Sequence, residues 1–428
     1  MSKASKKVGW ATMALCLGLA LTACTSSHLE DPQVVGRPAM VEHGGQAMLW
    51  VLTKQEESRE VRVTSSSRSA GSWRTDTFFH FDLTAYDPAG ARPAWNKRLM
   101  TLGDDEASGA GPSRVIGSNT TGQLLGQDGD IVWLLIDSLP LGLSATDGRV
   151  VADAAALEAR NAGLKGVMPR DAKFYDFDAG LVVLAADGRH HVIRGPDLKA
   201  ADYQPPSRSV PLEVEIDGRR HMLPLRPVMG EPPSRNFSLG GQWIGLFSEK
   251  EAADAANDPF GRHYVFPYVI LDEGALARRS FWRGRIENKQ HFDENFPHIA
   301  GMDAIPESPT FIRGRFVARG SEGVPVRLAA PDSVLVWHLT RIDSAGRVAL
   351  TRLGTDLRTL WTTELPLSES GMIQPMQRWQ LAGHLVVLGD QEFVDDGVTR
   401  RETYLSSVQL ADGKLRSWNL IRQRALDE

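Results

Sequence analysis

Short runs in which apolar and polar residues alternate recur along most of the chain. In residues 60–64, Val61 and Val63 face one way and Arg62 the other. In residues 77–86, Phe79, Phe81 and Leu83 share a face. The run Leu212-Glu213-Val214-Glu215-Ile216 repeats the pattern, and it returns at 311–319, 334–339 and 348–353. A period of two is the signature of β-strands. Residues 131–136, with Trp133, form a continuous apolar run. Asp-Gly pairs at 147–148, 187–188, 217–218 and 412–413 mark turns between such runs.

Two segments break the rhythm as helices. Residues 153–163 are rich in Ala, with Asp153 placed to cap the start and Gly163 the end. Ser248 and Glu251 have capping-box spacing before 252–256, and Pro259 stops that helix. Residues 64–71 and 103–113 read as loops, and 288–303 as a long irregular insertion. The predicted class is all-β with two short helical inserts.

One hairpin unit recurs. Residues 405–420 place Leu405, Val408 and Leu410 before Asp412-Gly413, then a second run carrying Trp418. Looser copies lie at 83–99 and 348–367. Gly90 precedes Trp95, Asp356 precedes Trp361 and Gly413 precedes Trp418, each by five residues. Repeated multi-strand units longer than a hairpin predict a β-propeller of four-stranded antiparallel blades. Trp361 and Trp418 are 57 residues apart, and the 266 residues from Trp95 to Trp361 divide best into five intervals of similar length. That favours seven blades over six. The competing architecture is two stacked β-sandwich domains.

The first residues have a different character. Lys3, Lys6 and Lys7 are followed by an apolar run over 11–21 and then Leu21-Thr22-Ala23-Cys24. The run is too short to span a bilayer and reads as an export signal, residues 1–23. The tetrapeptide resembles the lipobox of bacterial lipoproteins, which implies cleavage before Cys24 and acylation of that residue. Thr25 in place of Asp implies outer-membrane sorting, with the periplasmic side favoured over the cell surface. Residues 24–45 read as the lipidated Cys and a flexible tether, of which the mostly polar stretch 26–38, with Pro32 and Pro38, reaches ~20 Å as a flexible coil. Residues 46–428 then form a single β-propeller domain.

Removing the three signal lysines takes 48 basic residues to 45, against 53 acidic. That balance is a poor match for nucleic acid. Cys16 and Cys24 are the two cysteines; the first leaves with the signal, so the mature fold has no intrachain disulfide.

The Trp hairpin resembles the tryptophan-docking repeat of quinoprotein-type propellers, in which an Ala-x-Asp pair, a turn Gly and a Trp share one frame. Ala85, Asp87, Gly90 and Trp95 come closest. The resemblance implies that Trp95, Trp361 and Trp418, with Gly90 and Gly413, dock adjacent blades. It is nearest to degenerate, non-enzymatic relatives such as the propeller lipoprotein of the outer-membrane assembly machinery. The expected role is a membrane-anchored scaffold binding a protein partner in the envelope, with no cofactor. The alternative is a periplasmic quinoprotein-like or metal-dependent enzyme with its site in the propeller funnel. The vicinal Cys pair common in such dehydrogenases is missing here.

Candidate chemistry is sparse. His291, Asp293, Glu294 and His298 carry metal-ligand residue types, but their spacing fits neither a helical pair nor a close strand pair, and a solvated loop is the expected state. His190 and His191 point to opposite faces of a strand. Glu392, Asp395 and Asp396 before Gly397 lack EF-hand spacing and read as a hairpin tip. There is no Gly-x-Ser-x-Gly elbow, Walker loop or Rossmann fingerprint. The sequence therefore predicts a non-enzyme.

Overall fold

The computed structural model describes residues 27–63, 72–103, 121–205, 213–216, 219–222, 236–239, 242–257, 278–291, 294–319, 324–325, 333–343, 345–368, 377–381 and 383–426. The signal and Cys24, the loops at 64–71 and 104–113, and Pro259 lie outside them. Chain contacts divide the protein into two compact units. One is built from residues up to Tyr86 and from Pro93 to Gln204; the other from Asp87–Arg92 and from Pro205 onward.

The first unit holds three antiparallel sheets. The first is centred on two long strands, β4 (Gln46–Val63) and β5 (Ser72–Asp87), followed by β6 (Arg92–Gly103). Along the free edge of β4 lie three shorter strands, β1 (Ser27–Leu29), β2 (Gln33–Val34) and β3 (Ala39–His43). The stretch read as a tether is thus part of the sheet from Ser27 on. An 18-residue strand offers a long row of backbone donors and acceptors, and pairing with them needs no apolar side chain.

The second sheet runs β7 (Gly122–Asp128), β8 (Ile131–Ile136), β9 (Leu139–Ser144), β10 (Val150–Asp153). Helix α1 (Ala154–Arg160) follows, and the Asp153 carboxylate accepts from Ala156 N at 2.7 Å. The helix ends at Arg160; Gly163 falls in the 3₁₀ turn Ala162–Leu164 beyond it. The third sheet runs β11 (Tyr175–Phe177), β12 (Leu181–Leu184), β13 (His190–Arg194), β14 (Lys199–Asp202).

In the second unit β15 (Glu213–Ile216) pairs with β16 (Arg219–Met222) as a hairpin. A fourth sheet has β17 (Asn236–Leu239), β18 (Gln242–Phe247), β19 (Arg278–His291) and β20 (Glu294–Ala304). Helix α2 (Glu249–Asn257) follows β18 and opens with the anticipated box: Ser248 N donates to Glu251 Oε2 at 2.9 Å, and Glu251 N to Ser248 Oγ at 3.2 Å. A fifth sheet has β21 (Phe311–Phe316), then, past the small pair β22 (Ala318–Arg319) and β23 (Val324–Pro325), β24 (Val334–Leu339), β25 (Val348–Leu353) and β26 (Thr359–Glu364). Two residues of β19, Arg278 and Arg279, pair with β21 and join the fourth and fifth sheets. The sixth sheet runs β27 (Gln377–Leu381), β28 (His384–Asp395), β29 (Val398–Gln409), β30 (Leu415–Asn419), β31 (Arg424–Ala425).

Of the segment 288–303, expected to be irregular, residues 288–291 and 294–303 belong to the paired strands β19 and β20, with Asn288 opposite Pro297. Among the described residues β20 pairs with β19 alone, and an edge strand tolerates a proline that cannot donate. Polar residues hid the strand pairing from a hydrophobic-period reading.

The cores lie between sheets. Trp50, Leu52, Phe81 and Leu83 of the first sheet meet Val132, Leu134, Ile136 and Leu143 of the second. The other face of β8, Ile131, Trp133 and Leu135, meets Leu181, Val183 and Ile193 of the third, with Leu157 from α1. β24 repeats this division. Val334 and Val336 join Ile244, Leu246 and Phe281, while Leu335, Trp337 and Leu339 join Leu385, Val387 and Val408. A strand covered on both faces must be apolar throughout, and a six-residue one gains on the order of 10 kcal/mol of transfer free energy before conformational cost. A one-residue slip of β8 would send Trp133 into the opposite core.

Candidate functional site

The Trp hairpins form the first candidate. In four turns of this class an Asp carboxylate accepts from the amide two residues on: Asp147 from Arg149 at 3.2 Å, Asp187 from Arg189 at 3.1 Å, Asp356 from Arg358 at 3.0 Å and Asp412 from Lys414 at 3.0 Å. This short bond closes the turn, and one residue nearby adopts a left-handed conformation. At Gly148 and Gly413, φ is 67° and 78°.

These two glycines also receive an indole. A β-carbon at Gly148 would fall 2.5 Å from Trp95 Cη2, and one at Gly413 would fall 2.7 Å from Trp361 Cδ2. In each case a Trp on the fourth strand of one sheet lies on the turn between the third and fourth strands of the next. The residue two places after each Trp reaches the same turn. Lys97 Nζ is 3.7 Å from Asp147, and Thr363 Oγ1 donates to Gly413 O at 2.5 Å. Trp50 stands edge-on to Trp95, 5.2 Å between ring centres. Arg352 donates to Leu410 O at 2.8 Å beside the second joint.

Trp418 is half-buried on β30, opposite Leu405 and Ala425, and its indole N–H is buried without a partner. It shares a place in the strand order with Trp95 and Trp361, but the added strand β31 covers its outer side. Gly90 is not left-handed; Ala91 beside it is, at 47°. Likewise Leu357, at 59°, and not Asp356, is left-handed in the third copy. The constant five-residue interval therefore does not mark one turn geometry. The glycine that receives Trp95 is Gly148, which the Asp-Gly signal marked as a turn but not as a docking partner.

A polar cluster near the far end of β4 escaped the sequence reading. His80 is buried on β5, with Nε2 2.8 Å from Glu57 Oε2 and Nδ1 2.9 Å from Thr101 Oγ1. Arg59 binds the same Glu57 carboxylate through two bonds of 2.7 and 2.8 Å. The Arg59 guanidinium and the His80 ring together pull Glu57 down to about 2. Hydroxyl, imidazole and carboxylate have the connectivity of a proton relay. With Arg59 occupying both carboxylate oxygens, Glu57 serves as an anchor for two donors on neighbouring strands. Residues 57, 80 and 101 are too far apart in sequence for any local motif to reveal them. A second histidine, His43, bridges Asp130 at 3.0 Å and Thr146 at 3.1 Å between turns of the first and second sheets.

In the sixth sheet Glu402 accepts from Tyr404 Oη at 2.7 Å, Asn419 at 2.8 Å and Arg422 at 2.9 Å. Burial and this carboxylate push the Tyr404 phenol up to about 12.

Of the metal candidates, Asp293 lies outside the described residues. His291 sits opposite Glu294 at the end of the β19–β20 hairpin, and His298 pairs with Glu287 farther along. Among the described residues no group of three His, Cys, Asp or Glu is placed to hold a metal ion. Asp396 and Gly397, at φ 49° and 78°, form the two-residue tip of the β28–β29 hairpin. Comparison with protein-family models gives no match, and a search of curated proteins gives none either.

Proposed function

We propose that the chain is an envelope lipoprotein, attached to the outer membrane through acylated Cys24 and facing the periplasm, whose sheets are blades of a β-propeller that serves as a protein-binding scaffold. The observation that carries the architecture is the two-sided burial of β8 and β24, each dividing alternate side chains between two cores. A sandwich sheet buries one face; a blade between two others buries both. The paired joints at Trp95 and Trp361 support the same reading. Among the described residues the six larger sheets, two of them joined through β19 and β21, are the candidate blades, and β15–β16 is the candidate for part of a seventh.

The scaffold role is supported by the lipobox, by the absence of catalytic motifs in the sequence, and by the long β28–β29 hairpin, whose end exposes Val394 and Val398. The test is crosslinking in intact cells expressing the native chain and a Cys24→Ala variant. Native protein should fractionate with membranes, incorporate labelled acyl chains and capture a defined envelope protein. The variant should lose label and membrane attachment. Unchanged labelling in the variant refutes the anchor, and a stoichiometric chromophore or metal in the purified native protein refutes the non-enzymatic role.

A further inference from the structure

The register of β1 fixes where the anchor must lie. Ser27, the first described residue, is paired with Arg59 in the antiparallel pair of β1 and β4. Cys24 is three residues before Ser27, and three residues of chain reach at most about 11 Å. Arg62 is three residues beyond Arg59, about 10 Å along the strand, and its cross-strand partner is Trp73. An acyl group on Cys24 is thereby confined to the neighbourhood of this end of the first sheet.

Trp73 is 57% exposed, an unusual state for the largest apolar side chain. Arg59 lies over the Phe78 ring, 4.5 Å from its centre, and is half exposed. Indole rings favour the headgroup level of a bilayer, where the ring meets apolar chains and the N–H meets water. Resting on the attachment proposed above, we infer that the β4–β5 end of the first sheet lies against the membrane, with Trp73 seated at headgroup depth. The first sheet is held against the surface by this contact.

Single-cysteine labelling tests this in the full-length lipidated protein reconstituted in phosphatidylethanolamine/phosphatidylglycerol vesicles. The processed chain has no other cysteine, and acylated Cys24 offers no free thiol. An environment-sensitive fluorophore is placed at Trp73→Cys, at Thr75→Cys as a second exposed position on the same end, and at Gln46→Cys at the opposite end of β4, about 50 Å away. A quencher carried by lipid headgroups should remove most of the emission from 73 and 75 and leave 46 unchanged. Acyl labelling with equal, weak quenching at all three positions overturns the membrane contact and leaves the lipoprotein reading intact. Absence of acyl labelling overturns both.

Discussion

At the joint in the first unit Trp95 lies on Gly148, and at the joint in the second Trp361 lies on Gly413. The contact is the same: an indole on a fourth strand, a left-handed turn glycine on the next sheet. The reinforcement differs. The first has a second indole, Trp50, behind it and an exposed ion pair from Lys97. The second has a hydrogen bond from Thr363 to the glycine carbonyl and an arginine reaching the strand before the turn. The backbone device depends on shape and is repeated; the polar bonds around it vary with whatever side chains each hairpin supplies.

Emptying a core between sheets should have the largest effect. Trp133→Ala empties a fully buried site in the second sheet and should cost about 3–5 kcal/mol, read as a drop in urea midpoint. Gly148→Ala and Gly413→Ala come next. Each puts a β-carbon where an indole already lies, and a left-handed alanine adds strain, for about 2–4 kcal/mol together. Hydrogen exchange should place the loss in the first unit for Gly148 and in the second for Gly413. Equal loss in both units from either variant would break the claim that each joint acts locally. Smaller still, Thr363→Val leaves the Gly413 carbonyl without its donor and should cost about 1 kcal/mol, whereas Lys97→Ala should barely move the midpoint.

Acid and alkali sharpen the contrast further. Glu57 in the first unit is held near 2, below the ordinary 4.5, so its contribution is present above pH 4.5 and is lost as pH falls toward 2. Tyr404 in the second is raised from 10 to about 12, so its contribution is present below pH 10 and is lost as pH rises toward 12. Glu57→Gln should flatten the acid limb of the stability curve, and Tyr404→Phe the alkaline limb, each measured by thermal denaturation across pH.

Much of the local structure was legible because local physics dictates it. Ser248 and Glu251 cap α2 through bonds spanning three residues, and Asp153 caps α1 the same way. Asp147-Gly148 and Asp412-Gly413 are turns because a short carboxylate and a residue free to take positive φ sit side by side. The strands before Gln46 and the hairpin over 288–303 were missed because backbone pairing leaves no hydrophobic period where side chains stay polar. The five-residue interval did not mark one turn geometry, since counting from the tryptophan cannot tell which residue of a turn is left-handed.

The sequence by itself determined the strand-rich class, the caps and the Asp-Gly turns, all of which arise from residues within a few places of one another. Only the tertiary structure decided that alternate residues of β8 and β24 serve two different cores, that Trp95 meets Gly148, and that Glu57, His80 and Thr101 converge. Those relations join strands whose separation in sequence is set by loops. They follow from how sheets stack, and no short-range pattern encodes the stacking.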